Sequence, residues 1–81
     1  MTITVLYFAQ ARDHAGCAKE SLELPEGSRV AEAVAAIKRD HPKLEALWPH
    51  LAIAVDGALA NERAVLAAGA ELAILPPVSG G

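Results

Sequence analysis

Hydrophobic and polar positions alternate in several short segments of this chain, and this period of two predicts β-strands. In residues 3–8 the odd positions are all apolar, which predicts the buried face of a first strand. The opposite face contains Leu6 and Phe8 and is therefore also partly apolar, more than a face exposed only to water requires. Further strands are predicted at residues 20–24, 51–55, 58–60 and 71–75.

A helical period replaces the alternation in residues 27–40, where apolar side chains recur at i, i+3, i+4 and i+7. These apolar positions are Val30, Ala33, Val34 and Ile37. Ser28 is a suitable N-cap, although Glu32 follows it by one position more than a capping box requires. Pro42 marks the end of the helix. This segment therefore predicts one amphipathic helix.

The order of these elements is strand, strand, helix, strand, short strand, strand. Residues 44–48 predict one short helical turn, whereas residues 9–18 and 61–70 predict loops. A single helix covers only one face of a sheet, so we expect an α+β fold with a mixed, mostly antiparallel sheet. Adjacent first and last strands would make it a β-grasp fold, as in ubiquitin, although other small α+β folds share similar element orders.

Composition and charge exclude several classes of protein. A chain of 81 residues with 53% hydrophobic residues predicts one folded domain and excludes a disordered chain. The net charge is −3 and the sequence has no cluster of basic residues. Because binding to a phosphate backbone requires such residues, nucleic acid is not an expected partner. No apolar run is long enough to span a membrane, and the residues after Met1 lack the basic segment of a signal peptide. We therefore expect a cytoplasmic protein without a membrane partner.

The single Cys17 cannot form an internal disulfide and has no second thiol for a zinc site. His14 lies three positions before it, but in a predicted loop with no element to orient the pair. We therefore expect an unreactive loop thiol. His14, His41 and His50 are far apart along the chain and have no second ligand at helical spacing, so no metal site is predicted.

The last six residues carry the most specific signal, and they read Pro76-Pro77-Val78-Ser79-Gly80-Gly81. The prolines end the last strand and give a stiff, extended exit, and the glycines form a thin tip that fits a narrow active site. A frayed chain end is the ordinary alternative. We expect a β-grasp domain at residues 1–75 and a flexible tail at residues 76–81 that presents its own carboxylate.

Three segments together resemble the small, sulfur-carrier subunit of molybdopterin synthase. They are Val5-Leu6-Tyr7-Phe8-Ala9-Gln10-Ala11-Arg12, Ala54-Val55-Asp56-Gly57 and the ending Leu75-Pro76-Pro77-Val78-Ser79-Gly80-Gly81. The resemblance covers essentially the whole chain. It departs at Asp56, where the family often has Asn, and at Ala68-Gly69-Ala70, where the family has Asp-Gly-Asp. Both departures fall on predicted turns and therefore concern turn geometry and local charge.

The resemblance implies a sulfur relay that runs through the end of the tail. An adenylyltransferase similar to ubiquitin-activating enzymes would consume ATP to adenylate the Gly81 carboxylate, and a persulfide donor would convert it to a thiocarboxylate. Two tails in succession would then supply the two sulfur atoms of the dithiolene, which is made from cyclic pyranopterin monophosphate. Catalytic residues would belong to a large subunit, in a heterotetramer of two small and two large chains. The small subunit itself would bind no cofactor.

Strand parity also predicts a surface for the large subunit. If the odd positions of the first strand face the helix, Phe8 and Leu75 point to the bare face of the sheet, where Leu59 extends an apolar patch. Arg12 would add a polar contact at the rim, and the tail residues Pro76, Pro77, Val78 and Ser79 would enter the partner behind the slender Gly80. The alternative is that the three apolar residues fill a second, minor core.

Two other functions stay open at this point. The related sulfur carrier for the thiamin thiazole also combines a β-grasp fold with a Gly-Gly end, although such carriers resemble this chain less in the first strand. A noncatalytic ubiquitin-like interaction domain or protein modifier would have a passive tail. Supplying ATP, an adenylyltransferase, a sulfur source and each acceptor enzyme in turn would separate the three.

Overall fold

A computed structural model describes residues 1–76, and the predicted tail positions Pro77, Val78, Ser79, Gly80 and Gly81 lie outside the described residues. The elements in chain order are β1 (Thr2–Tyr7), α1 (Ala9–Ala15), β2 (Lys19–Glu23), α2 (Val30–Asp40), a 3₁₀ helix (Pro42–His50), β3 (Ala52–Val55), β4 (Ala58–Leu59) and β5 (Glu71–Leu75). Among the described residues, no helix is long and apolar enough to cross a membrane.

The five strands form one mixed sheet in the order β2-β1-β5-β3-β4. The first and last strands lie side by side and run parallel, whereas every other neighbouring pair is antiparallel. With α2 packed across one face, this is the ubiquitin-like β-grasp arrangement, and the predicted α+β class is confirmed. The tail therefore follows a strand that is paired on both sides.

The core lies between α2 and one face of the sheet. Ile3, Val5 and Tyr7 of β1 are almost fully buried, as the alternation of the strand requires. Leu72 and Ile74 of β5 lie beside them, because β1 and β5 are in parallel register. The four apolar positions predicted for the helix, Val30, Ala33, Val34 and Ile37, are all buried against this face.

The predicted loop at residues 9–18 is wrong over most of its length, because residues 9–15 form the seven-residue helix α1. Ala11 is its only buried residue, so an apolar period could not appear in the sequence. The helix ends at Gly16, whose φ of 81° is the left-handed conformation typical of a C-cap glycine. Its N–H donates a hydrogen bond to the Arg12 carbonyl oxygen at 3.0 Å.

The start of α2 also differs from the prediction. Ser28 is not the N-cap, because its hydroxyl donates to the Pro25 carbonyl oxygen at 2.7 Å. Arg29 takes that position, and its N–H donates to the Glu32 carboxylate at 3.0 Å. Glu32 thus stands at the third helical position, where a carboxylate satisfies a free N–H of the first turn. The following helical turn is also longer than predicted, since the 3₁₀ helix runs through Pro49 to His50.

Candidate functional site

The face of the sheet opposite α2 carries an apolar stripe. Leu72 and Ile74 are buried beneath the helix, so Ala73 and Leu75 point to the other side of β5. Ala73 pairs with Leu6 of β1 and with Ala54 of β3. Paired residues share a face, so these side chains form a continuous row across three strands.

The stripe leads to the three residues that the sequence singled out for partner binding, and we call Phe8, Leu59 and Leu75 the outer-face patch. The Phe8 N–H donates to the Ile74 carbonyl oxygen at 3.2 Å, which extends the β1–β5 ladder by one residue and brings Phe8 beside Leu75. Leu59 pairs with Ala54 at the far edge of the sheet. Phe8 and Leu59 are 44% and 71% exposed, and Leu75 is half-buried.

Arg12, the predicted rim contact, lies on α1 rather than in a loop and is exposed. The Phe8 carbonyl oxygen accepts hydrogen bonds from the N–H groups of Ala11 and Arg12, at 3.1 and 3.4 Å. Ala9 adopts a φ of 50°, a conformation that L-residues rarely visit, as the chain turns from β1 into α1. Arg12 therefore lies one helical turn beyond Phe8, and its role as a rim contact stays a prediction.

The chain leaves the sheet beside this patch. Leu75 ends β5, and the next residue, Pro76, is exposed. Positions 77–81, including the expected reactive Gly81, lie beyond the described residues, so their predicted roles stay predictions. The described part fixes where the tail begins, which is the end of the central strand next to Phe8.

The β3–β4 turn, one of the two departures from the resemblance, is anchored to β5. Asp56 and Gly57 have φ angles of 50° and 87°, as a tight hairpin turn requires. The Asp56 carboxylate accepts a hydrogen bond from the Glu71 N–H, and the Asp56 N–H donates to the Glu71 carbonyl oxygen, both at 2.9 Å. Asp is one of the residues that tolerate this backbone conformation, so the turn forms without Asn.

The other departure keeps its backbone contacts as well. Gly69 has a φ of 79°, which favours glycine, and its N–H donates to the Thr2 carbonyl oxygen at 2.8 Å. The Ala70 carbonyl oxygen accepts from the Thr4 N–H at 2.9 Å. The turn therefore holds the start of β5 against β1 without the two acidic side chains of the family pattern.

A second group of polar side chains lies on the helix side of the sheet, near the end of β1. Cys17, Glu20 and His41 bring one ligand atom each to within 4.8 Å of one another. Sequence spacing gave no sign of this group, because Glu20 and His41 are 21 positions apart and meet only through the packing of α2. The prediction of no metal site rested on that spacing and did not consider this arrangement.

Hydrogen bonds connect the members of this group. The Glu20 carboxylate lies 2.9 Å from His41 Nε2 and accepts hydrogen bonds from the Tyr7 hydroxyl at 3.2 Å and the Cys17 thiol at 3.4 Å. Burial first, and then the adjacent Glu20 carboxylate, raise the pKa of Tyr7 above its usual value. Burial and the same carboxylate also raise the pKa of Cys17. Both effects favour the neutral thiol of Cys17 over its thiolate.

Comparisons with known proteins identify relatives along the whole chain. The sequence pattern of the ThiS family matches residues 5–81. The molybdopterin synthase sulfur carrier subunit of Chlamydomonas reinhardtii is 35% identical over an alignment of 83 positions that covers all of both chains. Small archaeal modifier protein 1 of Haloferax volcanii is 33% identical, over 91% of this chain and 94% of that protein. The crystal structure of SAMP1 from Haloferax volcanii superposes with a TM-score of 0.88, at 30% identity over the full length of both chains.

Proposed function

Because this chain belongs to the ThiS family, we propose that it acts as the sulfur-carrier subunit of a molybdopterin synthase. The observation that carries the proposal is the 35% identity with the Chlamydomonas reinhardtii subunit, over an alignment that covers all of this chain and all of that protein. The resemblance found in the sequence to the sulfur-carrier subunits of molybdopterin synthase is confirmed by this relative.

The proposed chemistry uses the Gly81 carboxylate as a sulfur handle. A carboxylate does not react with sulfur donors, so a partner adenylyltransferase joins it to AMP from ATP and releases pyrophosphate. The terminal sulfur of a donor persulfide then displaces AMP, and a thiol cleaves the resulting acyl disulfide to leave a thiocarboxylate. This sulfur is a nucleophile delivered at high effective concentration by the docked carrier.

The described residues support a carrier that works inside a partner. The outer-face patch presents two large exposed apolar side chains and the half-buried Leu75 beside the tail exit, as a docking surface requires. We propose that this surface binds the large subunit, in a heterotetramer of two carriers and two large subunits, and that the large subunit contributes the catalytic acid and base. Each carrier then delivers one sulfur to cyclic pyranopterin monophosphate.

The test is to locate the transferred sulfur. The full chain is incubated with ATP, an adenylyltransferase and a persulfide donor, and the intact protein and its C-terminal fragment are measured by mass spectrometry. We expect one oxygen exchanged for sulfur at Gly81, and the same exchange in the Cys17→Ser variant. Sulfur that maps to Cys17 and disappears in that variant would contradict the proposed carrier chemistry.

The similarity to small archaeal modifier protein 1 favours protein modification as a second candidate function. In that case the activated Gly81 would form an amide with a lysine of a target, and the tail would stay in the product. Adding the activated chain to a large subunit with cyclic pyranopterin monophosphate separates the two. A carrier regenerates a free Gly81 carboxylate and forms dithiolene product, whereas a modifier accumulates as a conjugate.

A further inference from the structure

Cys17, Glu20 and His41 come from three different parts of the fold and converge at one end of the sheet. Cys17 precedes β2, Glu20 lies within β2, and His41 follows α2 at the start of the 3₁₀ helix. All three side chains are half-buried, and among residues 1–76 they are the one group of three His, Cys, Asp or Glu residues close enough to hold a metal ion. The proposed sulfur transfer at Gly81 does not use them.

The separations between these atoms are close to those of a tetrahedral metal site. The Cys17 sulfur lies 3.4 Å from one Glu20 oxygen, and His41 Nε2 lies 2.9 and 3.0 Å from the two oxygens. Zinc bonds of about 2.3 Å to sulfur and 2.0–2.1 Å to nitrogen and oxygen require ligand separations of roughly 3.3–3.6 Å in a tetrahedron. The two pairs that include Glu20 therefore need shifts of about half an ångström or less, and Cys17 Sγ and His41 Nε2, which lie within 4.8 Å of each other, must come to about 3.6 Å.

Neighbouring groups hold these ligands in orientation. The Tyr7 hydroxyl donates to Glu20 Oε1 at 3.2 Å, which leaves the second oxygen for a cation. The Tyr7 ring also meets the His41 ring edge-on, with centroids 5.5 Å apart and an interplanar angle of 72°. Such supporting contacts set ligand geometry in natural metal sites.

An open cavity of about 310 Å³ lies beside the group, with His41 and Gly16, the neighbour of Cys17, in its wall. Asp13 and Asp40 also line this cavity and could attract a cation, while Lys43 in the same wall opposes that attraction. Three protein ligands with an accessible fourth position are the arrangement of zinc sites that keep one place for water or another ligand.

We propose that Cys17, Glu20 and His41 bind one Zn²⁺ ion through sulfur, carboxylate oxygen and imidazole nitrogen, with a fourth position open to this cavity. The mixed thiolate and imidazole donor set suits zinc rather than magnesium or calcium. Binding removes the thiol proton of Cys17 to solvent and replaces the hydrogen bonds within the group by metal–ligand bonds. The ion fastens the segment before β2 to the end of α2 and thereby stabilises the folded chain.

The test uses the full chain freed of metal with a chelator and titrated with Zn²⁺ alone, followed by calorimetry and native mass spectrometry. We expect one ion per chain and a higher melting temperature. Cys17→Ser and His41→Gln should each weaken binding at least about tenfold, as loss of supporting groups alone costs 10–100-fold in natural sites. His50→Gln, an exposed histidine at the end of the 3₁₀ helix, is the matched control and should bind as the parent chain does.

Cobalt(II) gives an independent readout, because a bound thiolate produces a sulfur-to-metal charge-transfer band. That band should be present in the parent chain and in His50→Gln and absent in Cys17→Ser. If His41→Gln does not fold, Tyr7→Phe replaces it in the binding test, because this variant keeps the buried ring. Tyr7→Phe should weaken Zn²⁺ binding while the cobalt band persists. No 1:1 complex, or equal affinity in Cys17→Ser and the parent, would overturn the proposal. A zinc site that fails these tests leaves the Gly81 chemistry untouched.

Discussion

Replacing Leu59 by Arg tests whether the outer-face patch is a docking surface or a minor core. Leu59 lies on the edge strand β4 and is 71% exposed, so most of its apolar area is free for a partner to cover. Burying a leucine side chain contributes about 1.5–3 kcal/mol, and Arg at the same place adds a charge that must lose water. A loss of about 2 kcal/mol corresponds to roughly thirtyfold weaker binding to the large subunit.

The same substitution should barely affect the free protein. Surface changes away from special features alter the free energy of unfolding by about 0.5 kcal/mol or less, which for a domain of this size shifts the melting temperature by roughly 2–4 °C. Phe8→Arg should also weaken binding, with a somewhat larger stability loss because Phe8 is only 44% exposed. Binding is measured by titration calorimetry against the purified large subunit, and stability by thermal melts.

Val65→Arg is the matched control for both variants. Val65 is 60% exposed, comparable to Leu59, but lies in the loop before β5, where it bridges to Arg29 at the start of α2. Because this position is outside the outer-face patch, Val65→Arg should leave the affinity within about twofold. Equal weakening by Val65→Arg and Leu59→Arg, or a large drop in melting temperature with unchanged affinity for Leu59→Arg, would refute the docking assignment.

Two further predictions concern the tail and the β3–β4 turn. One alanine added after Gly81 should abolish dithiolene formation in a purified synthase assay, because the reactive carboxylate moves. The melting temperature should stay unchanged, because the described core keeps its contacts. Product formed by the untrimmed variant would contradict the carrier mechanism. Asp56→Ala should lower the free energy of unfolding in urea by about 1–2 kcal/mol, since it removes the acceptor for the Glu71 N–H and places Ala at a φ of 50°. Asp56→Asn keeps an oxygen acceptor and tolerates this φ, so equal losses for the two variants would argue against that contact.

Alternation and helical period predicted the parts of the fold that bury an apolar face. The odd positions of β1 and the four apolar positions of α2 lie in the core as expected, because burial alone sets those patterns. The helix α1 was missed since only Ala11 among its seven residues is buried. The N-cap was misplaced by one residue because the Ser28 hydroxyl binds the Pro25 carbonyl instead.

The outer-face patch could be predicted from the sequence, whereas the group of Cys17, Glu20 and His41 could not. Phe8 and Leu75 were found by parity, because a strand face follows directly from residue number. Cys17 and His41 meet only after α2 crosses the sheet, and no local spacing records such a contact. Positions 77–81 were interpreted through the resemblance and lie outside the described residues. The proposed role of Gly81 is therefore supported by the chemistry of its carboxylate and by the similarity to a sulfur carrier subunit.

The position of β5 also determines how the molecule bears a mechanical load. The N-terminal end of β1 and the C-terminal end of β5 lie at opposite ends of a parallel pair, so a force applied between the chain ends acts along the strands. The hydrogen bonds of this pair then share the load in shear, whereas a force applied to the same end of both strands would open them one after another. Pairing with β3 on the other side adds a second ladder to the resistance. A pull on the chain that follows Leu75 is therefore resisted by two ladders at once.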